Sequence, residues 1–186
     1  MKRLLDLLAA AAVLVVLALP MLLLWLLVRA TSPGPALYVS ERVGRNNVPF
    51  RMPKFRSMRV DTPTVATHLL TDPDRYVTPI GRFLRRTSLD ELPQLWSILK
   101  GDMSFVGPRP ALYNQEDLIT ARTERGVHTL RPGLTGWAQV NGRDELSVPE
   151  KVTYDAWYLA HASLTLDARI VVMTIVQAVR GADVQH

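Results

Sequence analysis

Two carboxylates stand side by side at Asp90 and Glu91, within Ser88-Leu89-Asp90-Glu91-Leu92-Pro93. Such a pair supports two readings. The structural one is a helix start, because Ser88-x-x-Glu91 matches a capping box and acidic residues in a first turn favour the helix dipole. Pro93 weakens it, since a helix capped at Ser88 would put the proline where a bonded N–H is needed. The chemical reading is nucleophilic: a carboxylate can attack phosphorus to form an acyl phosphate while cations neutralise the phosphate oxygens. The chain carries such cations on segments shaped by glycine and proline. Arg109 lies between Pro108 and Pro110, and a guanidinium on so stiff a turn suits bidentate contact with phosphate. Arg131 and Arg143 bracket a second segment, RPGLTGWAQVNGR, in which Gln139 and Asn141 offer polar recognition. Magnesium, which prefers carboxylate and phosphate oxygens, is the natural metal for this combination.

The rest of the chain narrows the classes that could hold these groups. At 186 residues, one domain is expected. Hydrophobic residues form 48% and charged residues 21%, values of an ordinary folded protein rather than a disordered one. There is no cysteine, which excludes a disulfide scaffold and a thiolate zinc site. His68, His128, His161 and His186 show no ligand spacing, which argues against a zinc hydrolase. The net charge of +5 admits nucleic acid, an anionic membrane surface or a phosphorylated substrate.

The elements that must position the site begin with a membrane segment. Residues 7–28 contain no charge, and 4–28 only Asp6; as a helix the longer run spans about 37 Å, enough for a bilayer core. It is too long for a signal-peptide core, and 29–33 make a poor cleavage site. Lys2 and Arg3 precede it and seven Arg or Lys between 29 and 59 follow, so the positive-inside tendency asks for both flanks on the cytoplasmic side. A helix bent at Pro20 that re-enters would satisfy this; a plain single-pass anchor tolerating its proline is the alternative. Beyond Pro35, residues 36–40 and 50–58 read as strands joined through Gly44-Arg45-Asn46-Asn47, with Pro53 requiring an edge or bulge. A polar loop is expected at 61–74. Thr78-Pro79 is a helix start, and further helices are expected over 91–99, stopping at Gly101, over 113–125, and over 166–179. The last has an apolar face of Leu166, Ile170, Met173, Ile175 and Val176, suited to core or membrane interface. The expected fold is therefore mixed α/β and helix-dominated, with a small β-hairpin.

Taken in order, Lys54-Phe55-Arg56-Ser57-Met58, SLDELPQLW at 88–96, KGDMSFVGPRP at 100–110 and RPGLTGWAQVNGR at 131–143 strongly resemble the bacterial sugar transferases. These are the monotopic polyprenol-phosphate phosphoglycosyl transferases. The resemblance runs from Lys2-Arg3 through the closing helix. It implies a re-entrant membrane helix hairpin at 1–30, a cytoplasmic-face catalytic domain at 31–186, interfacial amphipathic helices, and residence at the bacterial inner membrane. It implies transfer of a sugar 1-phosphate from a UDP-sugar to undecaprenyl phosphate, releasing UMP and starting a membrane-linked glycan. The implied mechanism is ping-pong, with Asp90 as nucleophile and magnesium ligand and Glu91 as acid/base or orienting partner. Arg109 and Arg143 are the implied phosphate contacts, with Gln139, Lys54 and Arg56 as further substrate-binding candidates. Membrane lipid is a partner, nucleic acid is not, and a homodimer is left open. The sequence departs from the family at Leu19-Pro20, where Ser-Pro is usual, at Ser97, where Asn is common, and at Pro53, where an apolar or aromatic residue is common. Two rivals are a basic binding module, which would not need Asp90 and Glu91, and a membrane-anchored hydrolase, which would not need a polyprenol acceptor.

Overall fold

The computed structural model describes residues 1–63, 72–142 and 145–180. Its first element is helix α1, Lys2–Thr31, which continues through Pro20. Among the described residues it is the one helix long and apolar enough to cross a bilayer. Much of its middle is exposed, including Val15, Val16 and Leu19, while both halves pack on the globular part. Ala10 joins Phe50, Met52, Leu95 and Ile98 in one core, and Val28 joins Ala36, Phe55 and Leu84 in another.

Polar contacts fix the N-terminal turn of α1. Lys2 pairs with Asp167, and Arg3 donates to the carbonyls of Ile98 and Leu99 at 2.6 and 3.0 Å. Asp6, buried in this otherwise apolar run, accepts from the backbone N–H of Phe105 at 3.3 Å. The charge that interrupts the apolar run is thus a docking group, which satisfies the requirement that a buried carboxylate be bonded.

The hairpin forms where the two extended segments and the turn residues between them place it. Strands β1 (Leu37–Val43) and β2 (Pro49–Phe55) are antiparallel, with Leu37 opposite Phe55 and Val39 opposite Pro53. A 3₁₀ turn, Arg45–Asn47, joins them, with Asn46 and Asn47 at positive φ. Since the sheet has two strands, Pro53 lies on an edge strand, where its missing donor is tolerated. Helix α2 (Pro79–Arg86) starts at Thr78, whose hydroxyl accepts from Gly81 N–H at 3.0 Å. The loop expected at 61–74 lies largely outside the described residues; Pro73–Tyr76 form a 3₁₀ turn.

The helix expected at 91–99 needs correction. A 3₁₀ turn spans Leu89–Gln94, and the α-helix α3 runs only from Leu95 to Lys100 before Gly101 ends it at φ 101°. Pro93 lies inside the 3₁₀ turn. The capping box at Ser88 and Glu91 does not form either: Ser88 is at φ 56°, its side chain caps nothing, and Glu91 points elsewhere.

Downstream, β3 (Ser104–Val106) and β4 (Gly133–Thr135) pair in parallel. Helix α4, Glu116–Glu124, is shorter than expected, and the one-turn α5 covers Trp137–Val140. Helix α6, Val148–His161, was not anticipated, although Ser147 and Glu150 form a full capping box ahead of it. Helix α7 covers Leu164–Arg180. Its expected apolar face divides: Ile170 is fully buried beside Leu166 and Met173, whereas Ile175 and Val176 are exposed.

Candidate active site

The 3₁₀ turn over Leu89–Gln94 gives Asp90 and Glu91 different surroundings. Glu91 Oε1 accepts from Lys54 Nζ at 2.7 Å and from Arg109 Nη2 at 3.0 Å. Lys54 comes from β2 and Arg109 from the turn after β3, so three separate segments meet on one carboxylate oxygen. Burial pushes the Glu91 carboxyl up, but Lys54 and Arg109 outweigh it and hold it well below the usual carboxylate range.

Asp90 is the opposite case. It is 8% exposed, and among the described residues no hydrogen bond ends on its carboxylate. Burial raises its pKa, Lys54 pulls it down, and the neighbouring Glu91 raises it again; the net shift is upward. Arg109 and Arg85 also act on it as cations. Neighbouring carboxylates are therefore driven apart, one held ionised and bonded, the other unbonded and hard to ionise, the pattern expected of groups with divided roles. Lys54 itself is lowered by burial, with Glu91 offsetting part of the loss.

Arg42 is a cation that sequence reasoning had counted only as a flanking charge. It lies in β1, bonds Ser40 Oγ at 3.1 Å and the carbonyl of Pro110 at 3.3 Å, and burial together with Arg109 lowers it to about 10. Its signal was the alternation of β1, which puts Arg42 on the face of buried Ser40.

The turn that presents Arg109 is held by backbone contacts. Gly133 N–H donates to the carbonyl of Pro108, and Gly107 N–H to that of Thr135, both at 2.9 Å. A Cβ on Gly107 would overlap the carbonyl oxygen of Arg131, and one on Gly136 the carbonyl oxygen of Gly107. Glycines in the two motifs therefore let their backbones lock together, bringing both segments to one place. Arg122 also donates to the carbonyl of Arg109, at 2.8 Å, and is itself paired with buried Asp155 at 2.6 Å. Burial raises the Asp155 carboxyl although Arg122 opposes it.

Of the anticipated site residues, Asp90, Glu91, Lys54 and Arg109 come together. Arg56 does not join them: it is 4% exposed and donates to the carbonyl and hydroxyl of Ser32, where α1 ends. Gln139 lies in α5, with its amide nitrogen and oxygen buried and without a hydrogen-bond partner among the described residues. Arg131 bonds the carbonyl of Gly101 at 3.0 Å, which makes it a support of α3. Arg143 lies outside the described residues.

No group of three or more His, Cys, Asp or Glu suited to a metal occurs among the described residues. The available donor is a single unbonded carboxylate, Asp90. That set fits a magnesium ion arriving with a phosphorylated substrate, since magnesium is commonly held by one or two carboxylates plus substrate phosphates and water.

The family model for bacterial sugar transferases matches residues 1–181. A sugar transferase of Bacillus subtilis strain 168, EpsL, is 39% identical over 186 residues, covering all of this chain and 91% of EpsL. The UDP-glucose:undecaprenyl-phosphate glucose-1-phosphate transferase of Xanthomonas campestris is 45% identical over 160 residues, 81% of this chain and 33% of that protein. The UDP-N-acetylgalactosamine-undecaprenyl-phosphate N-acetylgalactosaminephosphotransferase of Aeromonas hydrophila is 37% identical over 183 residues, 94% of this chain and 42% of that protein. The chain thus spans nearly all of one relative and well under half of the other two. With a family match over nearly its whole length, this chain belongs to the bacterial sugar transferases.

Proposed function

We propose that this protein transfers a sugar 1-phosphate from a UDP-sugar to undecaprenyl phosphate, producing a polyprenyl-diphosphate sugar and UMP. The observation that carries the reading is the contrast between Asp90, buried and unbonded, and Glu91, fixed by Lys54 and Arg109. A binding module would have no use for that contrast. The names of the Xanthomonas and Aeromonas relatives supply the donor and acceptor classes.

In the first half-reaction an Asp90 oxygen attacks the sugar-bearing β-phosphorus. The bond from that phosphorus to the bridging oxygen breaks, and UMP leaves with the oxygen and its electron pair. In the second, a phosphate oxygen of the acceptor attacks the same phosphorus and frees the Asp90 carboxylate. Arg109 and Lys54 balance the charge of the phosphoryl oxygens, as preorganised cations do in a partly dry site. Glu91 is the orienting partner in this scheme, because a carboxyl held so far below its usual range is a poor proton donor near neutral pH. Asp90 together with the diphosphate would hold magnesium, which would supply further neutralisation of phosphate charge.

Residues 1–30 form the membrane part in this reading, bent back so that 31–186 work on the cytoplasmic face. Its support is that both ends of α1 touch the same globular part, Lys2 through Asp167 and Val28 through Leu84. A straight crossing would separate them by about 45 Å across the bilayer. The exposed apolar outer face of α7 fits contact with the lipid interface.

The test is intact-protein mass after incubation with a panel of UDP-sugars and magnesium, without lipid acceptor. A gain of one sugar phosphate, absent in Asp90→Asn, is the expected result and names a usable sugar. Turnover with undecaprenyl phosphate but no adduct would replace the covalent route with direct transfer. No adduct and no turnover with any donor would overturn the reading.

A further inference from the structure

The two segments that build the site are joined end to end. The turn with Asp90 and Glu91 runs into α3, and β3 runs into the turn with Arg109. Between α3 and β3 lie only residues 101–103, beginning with Gly101 at φ 101°. A glycine-led connection this short keeps the two elements close but does not fix the angle between them. That angle decides whether Arg109 Nη2 meets Glu91 Oε1, a contact of 3.0 Å.

The first turn of α1 spans this junction. Arg3 donates to the carbonyls of Ile98 and Leu99 in the last turn of α3, where a helix end leaves carbonyls in need of donors. Three residues on, Asp6 accepts from Phe105 N–H in the middle of β3. Positions i and i+3 share one face of a helix, so guanidinium and carboxylate reach the junction side by side. Ser104 N–H bonds the carbonyl of Pro132 beside β4, and successive N–H groups of a strand point opposite ways. Phe105 N–H therefore lies on the open edge of β3, and Asp6 is its partner. Lys2 closes the same turn onto Asp167, which also accepts from Tyr158; the Tyr158 hydroxyl lies 3.4 Å from the carbonyl of Val106 in β3.

Anchoring α1 does not require this arrangement. Ala10 and Val28, both fully buried, already pack its two halves on the globular part. Asp6 is the one charge in residues 4–28, and a carboxylate in an apolar helix carries a burial cost that a leucine would avoid. What the charge adds is a directional bond to β3. We propose that Arg3 and Asp6 are positioning residues for the transfer reaction: one turn of α1 fixes the angle between α3 and β3 and so aims Arg109 at Glu91. The inference rests on the transferase reading and extends the working parts of its site to the N-terminal turn.

The experiment uses the full chain in lipid nanodiscs and measures affinity for UDP with magnesium alongside steady-state kinetics. Asp6→Ala and Asp6→Asn are each made alone and together with Arg109→Lys. Asp6→Ala is expected to weaken UDP binding and to lower donor kcat/KM, each about tenfold. Asp6→Asn keeps an acceptor oxygen for Phe105 N–H and should stay within about twofold of the unaltered protein. In the Arg109→Lys background, Asp6→Ala should change either quantity by less than about twofold, because the guanidinium it aims is already gone. A support of general stability would lower both backgrounds alike. Additive losses, or Asp6→Asn no better than Asp6→Ala, would overturn the proposal. If Asp6→Ala does not accumulate as folded protein, Arg3→Met takes its place in the same cycle, where additivity with Arg109→Lys again overturns the proposal. Absence of transfer by the unaltered protein, with every UDP-sugar, sinks the transferase reading instead, and the UDP-binding cycle still decides whether Arg3 and Asp6 act through Arg109.

Discussion

Arg122 donates from Nη1 to the backbone carbonyl of Arg109 at 2.8 Å, joining helix α4 to the turn that carries the site's arginine. The rest of its guanidinium is spent on Asp155 of α6. Arg109 is therefore aimed at Glu91 by a buried ion pair that itself touches neither carboxylate of the site. Replacing Arg122 with Lys keeps the charge but loses the planar fork. Arg122→Lys is expected to raise the donor KM severalfold and to lower Tm, while Arg122→Ala, which strands a buried carboxylate, should cost on the order of 3–5 kcal/mol of stability. Steady-state kinetics and thermal melts check both.

Asp90→Asn separates activity from stability. Turnover should fall by at least about 10³-fold, because an amide is not a nucleophile toward phosphorus. Tm should rise by about 2 °C or more, since the native Asp90 carboxyl is raised by burial and its ionised form opposes folding near pH 7. A lower Tm with retained turnover would remove Asp90 from its assigned place.

The pH dependence follows from the same groups. In the proposed mechanism Asp90 must be ionised to attack, and its pKa in the fold is raised, so activity should fall on the acid side at a higher pH than an ordinary aspartate would give. Lys54 pulls that pKa down. In Lys54→Met the acid limb of the pH–rate profile should therefore move further toward neutral pH. A limb that stays put would show that Lys54 does not act on the ionising group.

Glu91 gives a contrasting linkage. Its carboxyl is held below the unfolded value, so its contribution to stability is fully present above that value and is lost as pH falls toward the folded one. Glu91→Gln should abolish this acid-range term while weakening the hold on Lys54 and Arg109. Urea midpoints measured between pH 3 and pH 7, flatter in the variant, are the expected signature.

Topology is checked from the ends of the chain. Impermeant labelling of tags at the two termini in intact and broken cells should report both on the cytoplasmic side. Opposite sides would establish a single crossing and end the re-entrant reading of α1.

Much of the local structure was legible in the residues. The hairpin followed from two extended segments and the turn residues between them, α2 from Thr78-Pro79, and the end of α3 from Gly101, because each depends on a few neighbouring side chains. The same local logic locates the start of α6 at Ser147-Val148-Pro149-Glu150, whose capping box is also a sequence signal. Local logic failed at Ser88 and Glu91, where a capping box was spelled out but not formed. There Lys54 and Arg109, charges from two distant segments, compete for the Glu91 carboxylate more strongly than a backbone N–H would.

The sequence by itself determined the reactive inventory: an adjacent Asp–Glu pair, arginines on glycine- and proline-shaped turns, a long apolar N-terminal run, and motifs sufficient to mark the family. Tertiary structure decided how that inventory is used. It joined Lys54, Arg109 and Glu91 across some fifty residues of chain, sent the equally basic Arg56 to the end of α1, and brought in Arg42 from the first strand. It also left Asp90 buried with no hydrogen bond on its carboxylate among the described residues, while its neighbour was doubly paired. The reason is physical: charge and residue type are local properties, whereas burial and ion pairing depend on which distant segments pack together.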